Sequence, residues 1–362
     1  MGLPEGSAIV YCEGAFGTSN GKTAHGLVRR TSRYRVLSVI DSHQAGRDAG
    51  EILDGKSNQI PIARDVGSAV TLARDSGLTP THFVIGLAPH GGRLSPADRA
   101  QVVQALRAGL NVDSGLHDFL GDDPEIAGIA VSKGLKIRDV RKTPPRSELR
   151  AFTGKIVEVE ALRVALLGTD AAVGKRTTAW ALVEALRNAG YRAEMIGTGQ
   201  TAWLQGVEFG ILLDSLINDF VAGELEHAVL SCWSEKRPHV MVIEGQGGLM
   251  SPAYPGGLEI LSATQPQAII LQHAPARTEY EGFPGFPMHP IETQVQALEL
   301  VSGKPVVALS VNHESIPIAE IPAVCSDLRR RVRRPAVDVL TDGASEFVAA
   351  LRPWLNPLEM NR

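Results

Sequence analysis

Cysteine is nearly absent from this chain of 362 residues: Cys12, Cys232 and Cys325 stand far apart, with no CxxC pair among them. That scarcity argues against a disulfide framework and a structural zinc site, and it fits a reducing cytoplasm, the expected location. Apolar runs of about 18 residues, the length of a membrane span, are missing as well. The N-terminal stretch has neither a basic region nor a long apolar one, so neither a signal peptide nor a membrane partner is expected. Positive charge is not in excess: 36 Lys and Arg face 40 Asp and Glu, for a formal net charge of −4. A general nucleic-acid binder should be basic, so nucleic acid is not an expected partner. Repeats of fixed period and low-complexity tracts are also lacking.

What the chain does have is short β-rich runs alternating with amphipathic stretches, the pattern of α/β layering. Strands are predicted over Ser7–Tyr11, Arg35–Asp41, Ile60–Ala63, His82–Leu87, Gly109–Ser114 and Leu135–Val140. Helices are predicted between them over Lys22–Arg30, Val66–Ser76 and Pro96–Ala108. The segment RKTPPRSELRAFTGK then interrupts with paired prolines and dense charge. It separates a Rossmann-like N-terminal domain with a parallel sheet, residues 1–145, from a C-terminal domain over 161–362, with 146–160 as linker. In the second domain, apolar runs predict strands over Arg163–Gly168, Arg192–Gly197, Val240–Glu244, Ala268–Gln272 and Val306–Val311. Helices are expected over Lys175–Ala189, Leu213–Trp233, Ile291–Val301 and Ile318–Arg330. Runs this apolar suit a parallel sheet covered on both faces, an α/β/α sandwich like that of the P-loop NTPases. Ligands in such sheets lie outside the carboxyl ends of the strands.

The strongest motif is RVALLGTDAAVGKRTTAWALVEAL over 163–186, a strand, a glycine-bounded loop and an amphipathic helix. Gly168 and Gly174 let successive N–H groups of Thr169, Asp170 and Val173 turn into one concavity, and a helix starting at Lys175 adds its positive dipole end. Lys175 supplies a point charge, with Arg176, Thr177 and Thr178 completing the candidate phosphate-binding set. Five residues separate the two glycines, one more than the standard loop. Arg176 stands where the standard motif has a Mg²⁺-binding hydroxyl, so Mg²⁺ is not expected to be required.

Other candidates lie at strand ends. Glu244, followed by the glycines of EGQGG including Gly247, is the first choice for a catalytic base, and His273 the second. Gln200 and Thr201 follow the glycines of GTGQTAW and can donate and accept hydrogen bonds. The loop after His273 carries Arg277 and Tyr280, and Arg277 is suited to forking onto an acceptor carboxylate. On that reading Arg277→Lys raises the acceptor KM alone, whereas a residue that merely ties down its own loop affects both substrates. Lys22 and Arg93, in glycine-rich segments of the first domain, are further candidates for carboxylate recognition.

The GTD…VGK loop and the EGQGG segment are similar to their counterparts in dethiobiotin synthetase. As a whole, the chain resembles the D-glutamate N-acetyltransferase family, long catalogued as a domain of unknown function. NGKTAHGLVR (20–29), VIDSHQAGRDAGE (39–51), GGRLSPADR (91–99), SGLHDFL (114–120), GTDAAVGKRTT (168–178), GTGQTAW (197–203), IEGQGGL (243–249) and ARTEYEGFP (276–284) carry the likeness. The resemblance implies a P-loop-like fold that transfers acetyl from acetyl-CoA to the amine of D-glutamate, both small-molecule substrates; a homo-oligomer is expected. Two alternatives stay open: an ATP- and Mg²⁺-dependent ligase or kinase, and a nucleotide-binding protein without catalysis.

Overall fold

Short runs, most of them rich in apolar residues, become the strands of two parallel sheets in the computed structural model, which describes residues Pro4–Leu355. In the first unit β1 (Gly6–Tyr11), β2 (Tyr34–Ile40), β3 (Ile62–Ala63), β4 (His82–Ile85), β5 (Asn111–Ser114) and β6 (Ile137–Asp139) lie in the order β3-β2-β1-β4-β5-β6. Every pairing is parallel, the doubly wound Rossmann arrangement. Its helices are α1 (Lys22–Arg29), α2 (Ala49–Asp54), α3 (Val66–Asp75), α4 (Pro96–Arg107) and α5 (Pro124–Lys133). The short α2 and α5 carry little periodicity, and local chemistry starts them. Asp48 accepts from the N–H groups of Gly50 and Glu51, and Asp123 does the same for Glu125 and Ile126 ahead of Pro124.

The second sheet contains β7 (Leu162–Gly168), β8 (Ala193–Gly197), β9 (Phe209–Gly210), β10 (Val240–Glu244), β11 (Ala268–His273), β12 (Val306–Val311) and β13 (Ala336–Val337). Its order is β13-β12-β11-β7-β10-β8-β9, again with every pair parallel. The helices in this stretch of chain are α6 (Lys175–Asn188), α7 (Gln200–Leu204), α8 (Asn218–Lys236), α9 (Leu258–Thr264), α10 (Ile291–Ser302), α11 (Ile321–Val332) and α12 (Ser345–Leu351), of which all but α7 accompany the second sheet. Two expected helices begin late. Extended backbone at Leu216 and Ile217 parts a short turn at Leu213–Ser215 from α8, and a proline in its first turn sets the start of α11. No helix among the described residues is long and apolar enough to cross a membrane.

The units are not consecutive in the chain, contrary to the expected boundaries. The first comprises residues up to Thr143 together with Gln200–Gly206; the second holds Pro144–Gly199 and continues from Val207. The short α7 therefore belongs to the first unit. Leu204 is fully buried in that core, the Gln205 amide donates to the carbonyls of Gly26 and Arg30, and the Arg33 guanidinium lies 3.8 Å from the centre of the Trp203 ring. The segment expected as a linker is also structured. The buried Glu226 of α8 accepts from the N–H groups of Thr153 and Ile156 and from the Thr153 hydroxyl, which binds that stretch into the second unit.

Candidate active site

Because the second sheet is parallel, Gly168, Gly197, Glu244 and His273 end their strands at one edge. There the chain from Gly168 to Gly174 forms the phosphate loop. Gly174 precedes α6 with φ 104° and offers no side chain to cap it, so the first N–H groups of α6 lack a side-chain partner from that residue. A helix terminus of this kind is a ready anion site. The side chain of Lys175 folds back across Gly168, where a Cβ would stand 2.8 Å from its Cδ and Nζ. Its ammonium donates to the carbonyls of Asp170 at 2.6 Å and Gly247 at 2.7 Å. Lys175 is thus buried and links the two glycine segments.

The loop is braced from its flanks. Thr178 is buried, its hydroxyl donating to Gln272 Oε1 at 2.5 Å and lying 3.0 Å from Ser310 Oγ, so that side chain faces the sheet. The Val173 carbonyl accepts from Asn312 Nδ2 at 2.9 Å. Asp170, also buried, spends its carboxylate on the N–H groups of Ala171 and Glu281 and on Arg277. Thr177 is half-buried in the first turn of α6.

Glu244 is buried at the end of β10, where Oε2 accepts from the Thr198 N–H at 2.9 Å. The Thr198 hydroxyl in turn donates to the Glu244 carbonyl and accepts from Gln246 Nε2. Burial raises the pKa of this carboxyl; the charge of Arg176, the Thr198 N–H and the charge of Lys175 oppose the rise. Arg176 therefore sits on α6 as the foremost positive charge acting on the buried acid. The other candidate base is differently placed. His273 lies 3.2 Å by Nδ1 from Thr169 Oγ1, and burial takes its pKa down to about 4, which keeps it neutral and weakly basic.

Arg277, expected to fork onto an acceptor carboxylate, is engaged within the chain. Its guanidinium donates to Asp170 Oδ2 at 3.2 Å, to the carbonyls of Ala171 at 2.8 Å and Ala172 at 3.4 Å, and twice to Glu314 Oε2. Its N–H groups thus tie the phosphate loop to Glu314. Tyr280 is likewise turned inward, its hydroxyl 2.8 Å from His289 Nδ1. Gln200, Thr201, Lys22 and Arg93 all belong to the first unit. Thr201 is buried with its hydroxyl 2.8 Å from that of Thr23, Lys22 begins α1 in an exposed position, and Arg93 has an 81% exposed side chain 3.8 Å from Asp118. Reasoning from sequence missed Thr198, Gln246, Gln272 and Asn312; each stands at or just beyond a strand end, which is the one signal that marks them.

A parallel sheet whose central strand feeds a glycine-bounded loop and an uncapped helix defines a P-loop protein, here joined to a Rossmann-like unit. Residues 150–348 match the family model described as a domain of unknown function, DUF1611 C-terminal P-loop domain, and residues 42–143 match the DUF1611 N-terminal Rossmann-like domain. The chain belongs to the DUF1611 family. A curated relative from Tritonibacter scottomollicae named D-glutamate N-acetyltransferase is 34% identical over 275 residues, 74% of this chain and 80% of the relative. One of the same name from a Pseudoalteromonas species is 33% identical over 277 residues, again 74% and 80% of the two chains. The crystal structure of a DUF1611 family protein from Anabaena variabilis shares 28% identity at a TM-score of 0.88, covering 96% of this chain and 99% of that one. With these relatives, the chain is an acyltransferase.

Proposed function

We propose that the chain is an N-acetyltransferase that moves acetyl from acetyl-CoA to the amine of D-glutamate by direct attack on the thioester. The observation that carries this reading is Glu244, a buried carboxyl with a raised pKa at the same strand-end edge as the phosphate loop. Lifting a carboxyl towards the working pH makes it a better general base. Glu244 takes one ammonium proton of the acceptor; the freed amine attacks the acetyl carbonyl, a C–N bond forms, the C–S bond breaks, and a second proton passes from the attacking nitrogen to the departing sulfur, so that CoA leaves as the thiol. The chain's own donors suit the phosphates of acetyl-CoA: the uncapped start of α6 with the charges of Lys175 and Arg176. Arg176 provides a resident cation in place of the hydroxyl that would hold Mg²⁺, so turnover is expected without the metal. The names of the curated relatives support the acetyl donor and the D-glutamate acceptor.

The test is thiol release from acetyl-CoA with D-glutamate in excess EDTA, run beside L-glutamate and beside ATP–Mg²⁺. Release of CoA with D-glutamate in EDTA supports the reading. ADP release from ATP–Mg²⁺, with no CoA release, overturns it in favour of a ligase or kinase.

A further inference from the structure

Aromatic residues make up only 5% of the chain, yet three of them form a ladder on the loops that border the phosphate loop. The rings of Tyr254 and Phe283 are 6.2 Å apart, and those of Phe283 and Phe286 are 6.5 Å apart, both edge to face. The outer two are far from buried: Tyr254 is 49% and Phe286 52% exposed. Together they leave a contiguous aromatic face open beside the loop.

The backbone ties this ladder to the site. The Tyr254 carbonyl accepts from the Gly248 and Gly256 N–H groups, and a Cβ on Gly247 would come within 2.0 Å of it. Gly247 has φ 52°, and its carbonyl oxygen accepts from the Lys175 ammonium. On the other side, the Phe283 N–H donates to Tyr280, and the adjoining Glu281 N–H donates to Asp170 in the phosphate loop. Both ring-bearing loops are therefore fixed, within a few residues, to the groups that border the anion site.

We propose that the Tyr254–Phe283–Phe286 ladder is the platform for the adenine ring of the acyl donor. The inference rests on the acetyl-CoA reading above and adds the feature that selects a nucleotide-bearing thioester over a shorter one. A purine has a flat, polarisable face that stacks on aromatic rings without needing a hydrogen-bond code. It is joined to phosphate groups, so a shelf continuous with a phosphate loop meets both parts of one molecule. Neither a bare phosphate nor the acceptor amino acid would use such a surface.

Calorimetric titration with CoA and with 4′-phosphopantetheine, which lacks the adenosine together with its 3′- and 5′-phosphates, separates the outcomes when the ring variants are read against the wild type. The wild-type protein should bind CoA more tightly than 4′-phosphopantetheine. Phe283→Leu should weaken CoA about tenfold, the effect of losing one stacking face, and leave 4′-phosphopantetheine within about twofold. Tyr254→Leu and Phe286→Leu alter half-exposed side chains, so their effect can be read even if Phe283→Leu disturbs the loop. Equal wild-type affinity for the two ligands, or equal weakening of both in the variants, overturns the platform while leaving the acetyl-CoA reading intact. Failure of the wild-type protein to bind either ligand overturns the acetyl-CoA reading and the platform together.

Discussion

Replacing Arg277 by lysine asks whether this guanidinium clamps the phosphate loop or serves an acceptor. Its partners are the Asp170 carboxylate, the carbonyls of Ala171 and Ala172, and Glu314. An ammonium keeps the charge but gathers its three donors on one nitrogen, so it cannot reach these positions together. The bonds to Glu314, whose side chain is 45% exposed, contribute little because water screens them. The cost lies in the buried carboxylate and the two carbonyls. With hydrogen bonds to charged groups at about 1.5–3 kcal/mol each, loss of one and weakening of another costs about 2–3 kcal/mol. A unit of this size loses about 2–4 °C of melting temperature per kcal/mol, so its transition should fall by about 4–12 °C. Scanning calorimetry reads that shift, and titration with acetyl-CoA should show weaker donor binding because the braced loop is the donor site. An unchanged transition with unchanged donor affinity, accompanied by a selective rise in acceptor KM, would refute the clamp and return Arg277 to acceptor recognition.

Lys175→Ala should weaken acetyl-CoA binding by about tenfold or more, since a charged hydrogen bond contributes about 1.5–3 kcal/mol; unchanged affinity in calorimetry would remove Lys175 from the donor site. Glu244→Gln should lower kcat by about 10²–10⁴-fold without lowering thermal stability, because burial penalises the charge that it removes. In the wild-type enzyme, kcat/KM should fall as pH drops through the raised Glu244 pKa, and what activity remains in Glu244→Gln should lack that acid limb. His273 resists protonation down to about 4 in the fold and titrates near 6.5 when unfolded. Its contribution, up to about 3 kcal/mol, is therefore full above 6.5 and lost as pH falls towards 4. Urea unfolding of the wild type and His273→Gln at pH 7 and pH 5 should show a smaller pH dependence in the variant, and parallel losses would contradict the assignment.

How much of this was readable from sequence differs by the reach of the physics involved. Val240–Glu244 and Val306–Val311 are strands at the predicted residues because an apolar run between polar breaks carries its own signal. β9 and β13 hold two residues each and leave no periodicity to read. The phosphate loop was legible because glycine spacing and a following helix are local features. The partners of Arg277 were not: a guanidinium suits an acceptor carboxylate and Asp170 equally well, and only the folded chain brings Asp170, more than a hundred positions away, against it. Asn312 and Gln272 carry no motif, since their value lies in the one carbonyl and the one hydroxyl that they meet across the sheet edge. α7 was missed because five residues show no helical period and their apolar partners lie in the other unit's sequence.

The placement of Leu204 in the first unit's core has a consequence for the order of folding. A ribosome that has finished Thr143 has delivered the six strands of that unit but not the piece that closes it. Gln200–Gly206 emerges about 60 residues later, a delay of roughly 3–12 s at ordinary rates of synthesis. Through that interval the surface meant for Trp203 and Leu204 stays open, and β7 and the phosphate loop are made before the first unit can be complete. The nascent chain thus matures as two interleaved parts rather than one after the other, and cutting it after Thr143 would leave a first half with a permanent gap in its core.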